Sequence, residues 1–107
     1  MRITFTARHF KTSDRLKNYA EEKVKKLRRY DDTLMDISII LDYVKQEQVA
    51  EIISKVSGNK FAVVEKSEDM YKSIDLAVDK LERKLKKHKQ KLRRFENERI
   101  TQNFDEK

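Results

Sequence analysis

Apolar positions along the chain follow two rhythms, and the switches between them mark its elements. Arg2 to Thr6 alternate, which puts Ile3 and Phe5 on one face of a short strand and polar residues on the other. Thr12, Ser13 and Asp14 are N-cap candidates for a helix that carries Leu16, Tyr19 or Ala20, Val24 and Leu27 on one side and stops near Tyr30. Met35 to Val44 returns to period two, with Ile37, Ile39 and Leu41 opposite Ser38 and Asp42. After the polar connection Lys45-Gln46-Glu47, Val49 to Val56 alternates again, with Ala50, Ile52, Ser54 and Val56 on one face. Ser57-Gly58-Asn59 holds the only glycine and predicts a hairpin loop, with Phe61 to Lys66 as the returning strand. Ser67, Glu68 and Asp69 then offer a hydroxyl and negative charge to a helix start. From Met70 the rhythm is helical: Ile74, Ala77, Leu81, Leu85, His88, Leu92 and Phe95 lie along one side.

The order is strand, helix, three strands, helix. Three strands joined by short connections predict an antiparallel meander, and two amphipathic helices can cover its apolar face. The expected fold is α+β, β-α-β-β-β-α, with both helices on one face of a four-stranded sheet. Its helix-strand-strand-strand-helix portion has the element order of a double-stranded-RNA-binding domain. Residues 1–95 form the expected domain, and 96–107 lose periodicity and predict a frayed tail. Within 107 residues there is room for one core, and with 37% hydrophobic against 42% charged residues that core must be lean.

Charge changes the picture most in the last helix. Lys80, Arg83, Lys84, Lys87 and Lys91 fall within an arc of roughly 100° beside the apolar stripe, so packing the stripe orients a basic row. Eight basic residues and no acidic one lie between Arg83 and Arg94. In the first helix Lys23, Lys26 and Arg29 recur three apart. With a net charge of +7 and a pI near 9.6, a polyanionic partner is expected, a solvated basic surface being the plainer explanation that clustering disfavours. An anionic membrane fits less well than RNA, because the sheet needs the helix's apolar side.

Little here suggests catalysis. Cysteine is absent, and the histidines, His9 and His88, match no paired-ligand spacing. His88 sits at the stripe's edge, where packing is the plainer role. Asp75, Asp79 and Glu82 share their helix with the basic row, and ion pairing within that helix together with solubility is their ordinary explanation. No enzyme activity, cofactor or metal is expected. The N-terminus has no apolar run of signal-peptide length, and no segment approaches the roughly 20 apolar residues of a membrane span. A cytoplasmic protein is expected.

The run SEDMYKSIDLAVDKLERKLKKHKQKL resembles the final helix of the ribosome hibernation-promoting factor and ribosome-associated inhibitor family, and ITFTARHFKTSDRLKNYAEEKVKKLRRY resembles that family's first strand and helix. Ala7 departs from the glycine that many members carry before the arginine. The resemblance implies a β-α-β-β-β-α protein that occupies the messenger and tRNA channel of the small ribosomal subunit and silences translation in stress or stationary phase. It also implies that Lys80, Arg83, Lys87 and Lys91, with Lys23, Lys26 and Arg29, face ribosomal RNA; Lys84 joins them through the arc alone. The chain looks like a short form, or a long form cut to its N-terminal domain.

The expectation is thus a monomer whose partner is small-subunit RNA and neither DNA nor a membrane. The alternative is a general structured-RNA-binding module without ribosome preference. A third reading makes the last helix an oligomerisation element.

Overall fold

The computed structural model describes the backbone of residues 2–29, 34–56 and 58–105, and within these the side chains other than those at 35 and 91–105. Its elements are β1 (Arg2–Arg8), α1 (Asp14–Lys25) continued by a 3-10 turn (Lys26–Arg29), β2 (Leu34–Val44), β3 (Glu47–Val56), β4 (Asn59–Ser67) and α2 (Met70–Asp105). The strands form one sheet in the order β1-β2-β3-β4. The meander β2-β3-β4 is antiparallel, while β1 lies parallel to β2, with Ile3 beside Ile37 and Phe5 beside Ile39. The α+β expectation holds. Parallel pairing of β1 and β2 requires a crossover, and α1 supplies it.

Alternation sets the sheet's inner face. Ile37, Ile39 and Leu41 of β2 and Ala50, Ile52 and Val56 of β3 are 0–1% exposed, and α2 covers them with Ile74, Ala77, Leu81 and Leu85, each fully buried. Leu16, Ala20, Val24 and Leu27 complete the core from the α1 side. Val78 is also buried on α2, so its packed face is wider than the predicted stripe because α1 leans against it as well as the sheet.

Both helix starts are fixed by side chains. Ser13 caps α1, its Oγ accepting from the Leu16 N–H at 3.1 Å. At the α2 start Asp69 Oδ1 accepts from the Tyr71 N–H at 3.1 Å. One turn on, buried Ser73 donates to the Gln48 carbonyl at 2.6 Å, and the Ser67 hydroxyl meets Ser73 Oγ at 2.7 Å. These contacts tie the first turn of α2 to β3 and β4. The backbone of α2 runs to Asp105, past the Phe95 limit read from the sequence. Leu92 and Phe95 of the predicted stripe lie outside the residues whose side chains are described.

The turns show where the backbone is demanding. Gly58 takes φ +79 in the β3–β4 hairpin with open space around the position a Cβ would occupy, so glycine serves the backbone there and not packing. The β2–β3 connection is tighter than expected: Val44 pairs with Glu47, leaving Lys45-Gln46 as a two-residue turn with Lys45 at φ 58. Ala7 lies in extended β1 and positive φ falls at His9, so the Ala7 departure meets no glycine-only conformation. The His9 imidazole reaches Asp42 Oδ1 at 2.7 Å, linking the end of β1 to β2.

Candidate nucleic-acid interface

Because α2 presents one side to the core and another to α1, its remaining surface is divided into rows. On the side facing α1, Asp75, Val78, Asp79 and Glu82 line a groove of about 140 Å³ together with Lys23, Lys26, Leu27 and Arg29. On the far side Lys80 pairs with Glu65 of β4 at 3.3 Å, and Lys84 Nζ donates to the Ala62 carbonyl of the same strand at 3.5 Å. Arg83 and Lys87 are exposed between those sides. The side chain of Lys91 lies outside the described residues.

The sequence-predicted cations therefore form two groups with a carboxylate row between them. Lys23, Lys26 and Arg29 come together at the α1 groove; Lys80, Arg83, Lys84 and Lys87 stand on the β4-facing and outward sides of α2. In the groove Lys23 Nζ sits 3.5 Å from Asp75 Oδ1 and 5.5 Å from the centre of the Tyr19 ring. This is a correction to the reading of the carboxylates. Glu82 does pair within its helix, with Lys86 at 3.2 Å, but Asp75 turns to α1.

The clasp between the helices is more than an ion pair. Tyr19 donates its hydroxyl to Asp75 Oδ1 at 2.6 Å, and its ring meets Tyr71 edge-on at a centroid distance of 4.9 Å. The hydrogen bond to Asp75, with desolvation and the carboxylate's charge, pushes the Tyr19 pKa from 10.0 to about 12. The clasp fixes α1 against α2 and so fixes the spacing of the two cation groups.

Sequence reasoning missed a second hollow, on the other flank of α2, where Lys84 and Lys87 stand over Phe61 and His88. In the sequence Phe61 opens the returning strand and helical spacing places His88 at the stripe's edge. Their meeting depends on how β4 registers against α2, which neither local rhythm encodes. His88 has the packing role expected of it, with its ring edge-to-face on Phe61 at 5.2 Å.

Other chemistry is sparse. Among the described residues no group of three or more His, Cys, Asp or Glu side chains is placed to hold a metal ion. No described helix is long and apolar enough to cross a membrane. What the surface offers is ordered positive charge, suited to phosphate.

The chain resembles known proteins over most of its length. It is 36% identical over 91 residues to the ribosome hibernation promoting factor of Azotobacter vinelandii, covering 85% of each chain. To the protein of the same name from Escherichia coli K12 it is 29% identical over 93 residues, 87% of this chain and 98% of that one. Among solved structures, a ribosomal subunit interface protein from Coxiella burnetii superposes with a TM-score of 0.78 at 30% identity, over 83% of this chain and 98% of that one. The N-terminal domain of Thermus thermophilus Protein Y gives 0.74, also at 30% identity, over 82% and 99%. The family model described as Sigma 54 modulation protein / S30EA ribosomal protein matches residues 3–93, and the chain belongs to that family.

Proposed function

We infer that the protein is a non-enzymatic, cytoplasmic ribosome hibernation factor that acts as a monomer. It binds the small ribosomal subunit in the channel used by messenger and tRNA and blocks translation by occupancy during stress or stationary phase. The observation that carries this reading is a helix whose buried stripe, Ile74, Ala77, Leu81 and Leu85, holds Arg83, Lys84 and Lys87 exposed on its outer sides, in a chain whose relatives are named for ribosome hibernation. Lysine and arginine on ordered elements neutralise phosphates and release counterions, which supplies affinity that depends steeply on salt. Selectivity comes from the shape of the channel and from the fixed spacing of the two cation groups.

Co-sedimentation with isolated small subunits across a salt series, with and without pre-bound messenger and tRNA, tests the reading. Binding that survives moderate salt and an excess of unrelated duplex RNA, and that pre-bound tRNA blocks, is expected. Binding that ignores tRNA and is stripped by duplex RNA refutes channel occupancy and leaves a general RNA binder. Combined Arg83→Glu, Lys84→Glu and Lys87→Glu changes leave the core intact and flatten the log–log salt dependence by about one unit for each phosphate no longer neutralised.

A further inference from the structure

Between β4 and α2 lies a hollow of about 190 Å³ lined by Phe61, Lys84, Lys87 and His88. Its floor is aromatic: the Phe61 and His88 rings meet with an interplanar angle of 67°. Its rim is cationic. Lys23 and Lys80 are paired with carboxylates, whereas among the described residues neither Lys84 nor Lys87 has a carboxylate partner. The 3.5 Å contact of Lys84 Nζ with the Ala62 carbonyl is long for a hydrogen bond and leaves the ammonium's charge unneutralised. His88 Nε2 is buried without a hydrogen-bond partner among the described residues. Buried polar atoms nearly always have one, and here parting the two rings breaks an aromatic edge contact and no hydrogen bond at that atom.

A ring surface beside unneutralised ammonium groups is the combination that holds single-stranded nucleic acid: the ring takes a base face and the cations take the flanking phosphates. A regular duplex presents phosphates but keeps its bases stacked. A free phosphate would use the lysines and leave the aromatic floor idle. We propose that this hollow is a subsite for one unstacked RNA base, seated on the Phe61–His88 pair, with its flanking phosphates on Lys84 and Lys87. The subsite rests on the reading of this chain as an RNA-binding ribosome factor. It adds a preference for splayed-out nucleotides that phosphate contacts by themselves do not give.

Two measurements on the full chain decide it. In the first, the ring resonances of Phe61 and His88 are followed by NMR during titration with single-stranded oligoadenylate and, separately, with a blunt RNA duplex of equal phosphate count. Ring shifts with the single strand only are expected; rings silent to the single strand, or answering equally to the duplex, overturn the subsite. In the second, Phe61→Leu keeps an apolar side chain and removes the flat ring. Its affinity for small subunits falls about 5- to 150-fold, the range expected for removing one base–aromatic stack, with the log–log salt slope unchanged, and Phe61→Trp restores it. Unchanged affinity, or a weakening that shows as a reduced slope, overturns the proposal. Should Phe61→Leu fail to fold, the titration of the native chain still decides. Failure of the native chain to bind small subunits at all would refute the hibernation reading separately, and the oligonucleotide titration would still report on the hollow.

Discussion

Replacing Tyr19 by Phe removes one hydroxyl and keeps the ring that packs on Tyr71. That hydroxyl is the donor in the 2.6 Å bond to Asp75, and it joins two helices 56 positions apart in sequence. A bond to a charged acceptor is worth about 1.5–3 kcal/mol. Here the value falls below that range, to the roughly 1 kcal/mol of an ordinary hydrogen bond, because the Asp75 side chain keeps 46% of its exposure and Lys23 Nζ is 3.5 Å away, so water and the ammonium re-solvate the carboxylate. The expected cost of Tyr19→Phe at pH 7 is about 1 kcal/mol, a fall of roughly 4–8 °C in the unfolding midpoint for a domain of this size. The sign with pH follows from the raised pKa. A group held above its unfolded value stabilises the fold fully below that value, so the Tyr19 contribution is intact below pH 10 and is lost as pH rises from 10 toward 12. Urea unfolding of both proteins at pH 7, and again through the alkaline window, reads the difference directly: a gap at neutral pH that closes at high pH. Tyrosinate absorbance gives a second reading, a late-ionising phenol in the native protein that is missing from Tyr19→Phe. Equal urea midpoints at pH 7, or a late step that persists in the variant, would refute the clasp.

Three further outcomes are expected. Leu85→Ala opens a cavity beneath α2 and costs about 2–5 kcal/mol in denaturant unfolding, since the side chain is 0% exposed. Ser54→Ala does the opposite, raising stability by about 1 kcal/mol in the same assay, because the Ser54 hydroxyl is fully buried and has no hydrogen-bond partner among the described residues. At acidic pH, the bond from His9, aided by the Tyr43 N–H, holds the Asp42 carboxyl below its usual range. That contribution is present above the ordinary carboxylate pKa and is lost as pH falls through the folded value. His9→Asn, which tolerates the positive φ at that position, moves the Asp42 titration upward toward 3.8, as followed by carboxyl NMR.

Period two carried the strand assignments: Ile37, Ile39 and Leu41, and Ala50, Ile52 and Val56, are buried as their alternation requires. Helical spacing likewise found the buried stripe of α2 as far as Leu85. Local rhythm stops short of partners, however. It gave no reason to set Asp75 opposite Tyr19 and Lys23, because nothing within α2 encodes where α1 will lie. Nor could it bring Phe61 to His88, a contact made only when β4 is registered against the helix. The cation rows were legible because they share the helix with the apolar stripe. The acidic row that divides them became legible only once α1 was in place.

The contact of Ser73 with the Gln48 carbonyl acts at a distance from the surface it serves. Lys84 lies eleven residues further along α2, about 16 Å down its axis, and its compass bearing depends on this anchor together with the buried stripe that runs between them. One residue inserted between Ser73 and Lys84 would swing every later side chain by about 100°, carrying the lysines off their bearing and Leu85 out of the core together. Two inserted turns, seven residues, would nearly restore the bearing. The tolerated length changes in this stretch are therefore quantised, and the direction in which the protein points its charge is held jointly by the buried stripe and by a hydroxyl group three turns away.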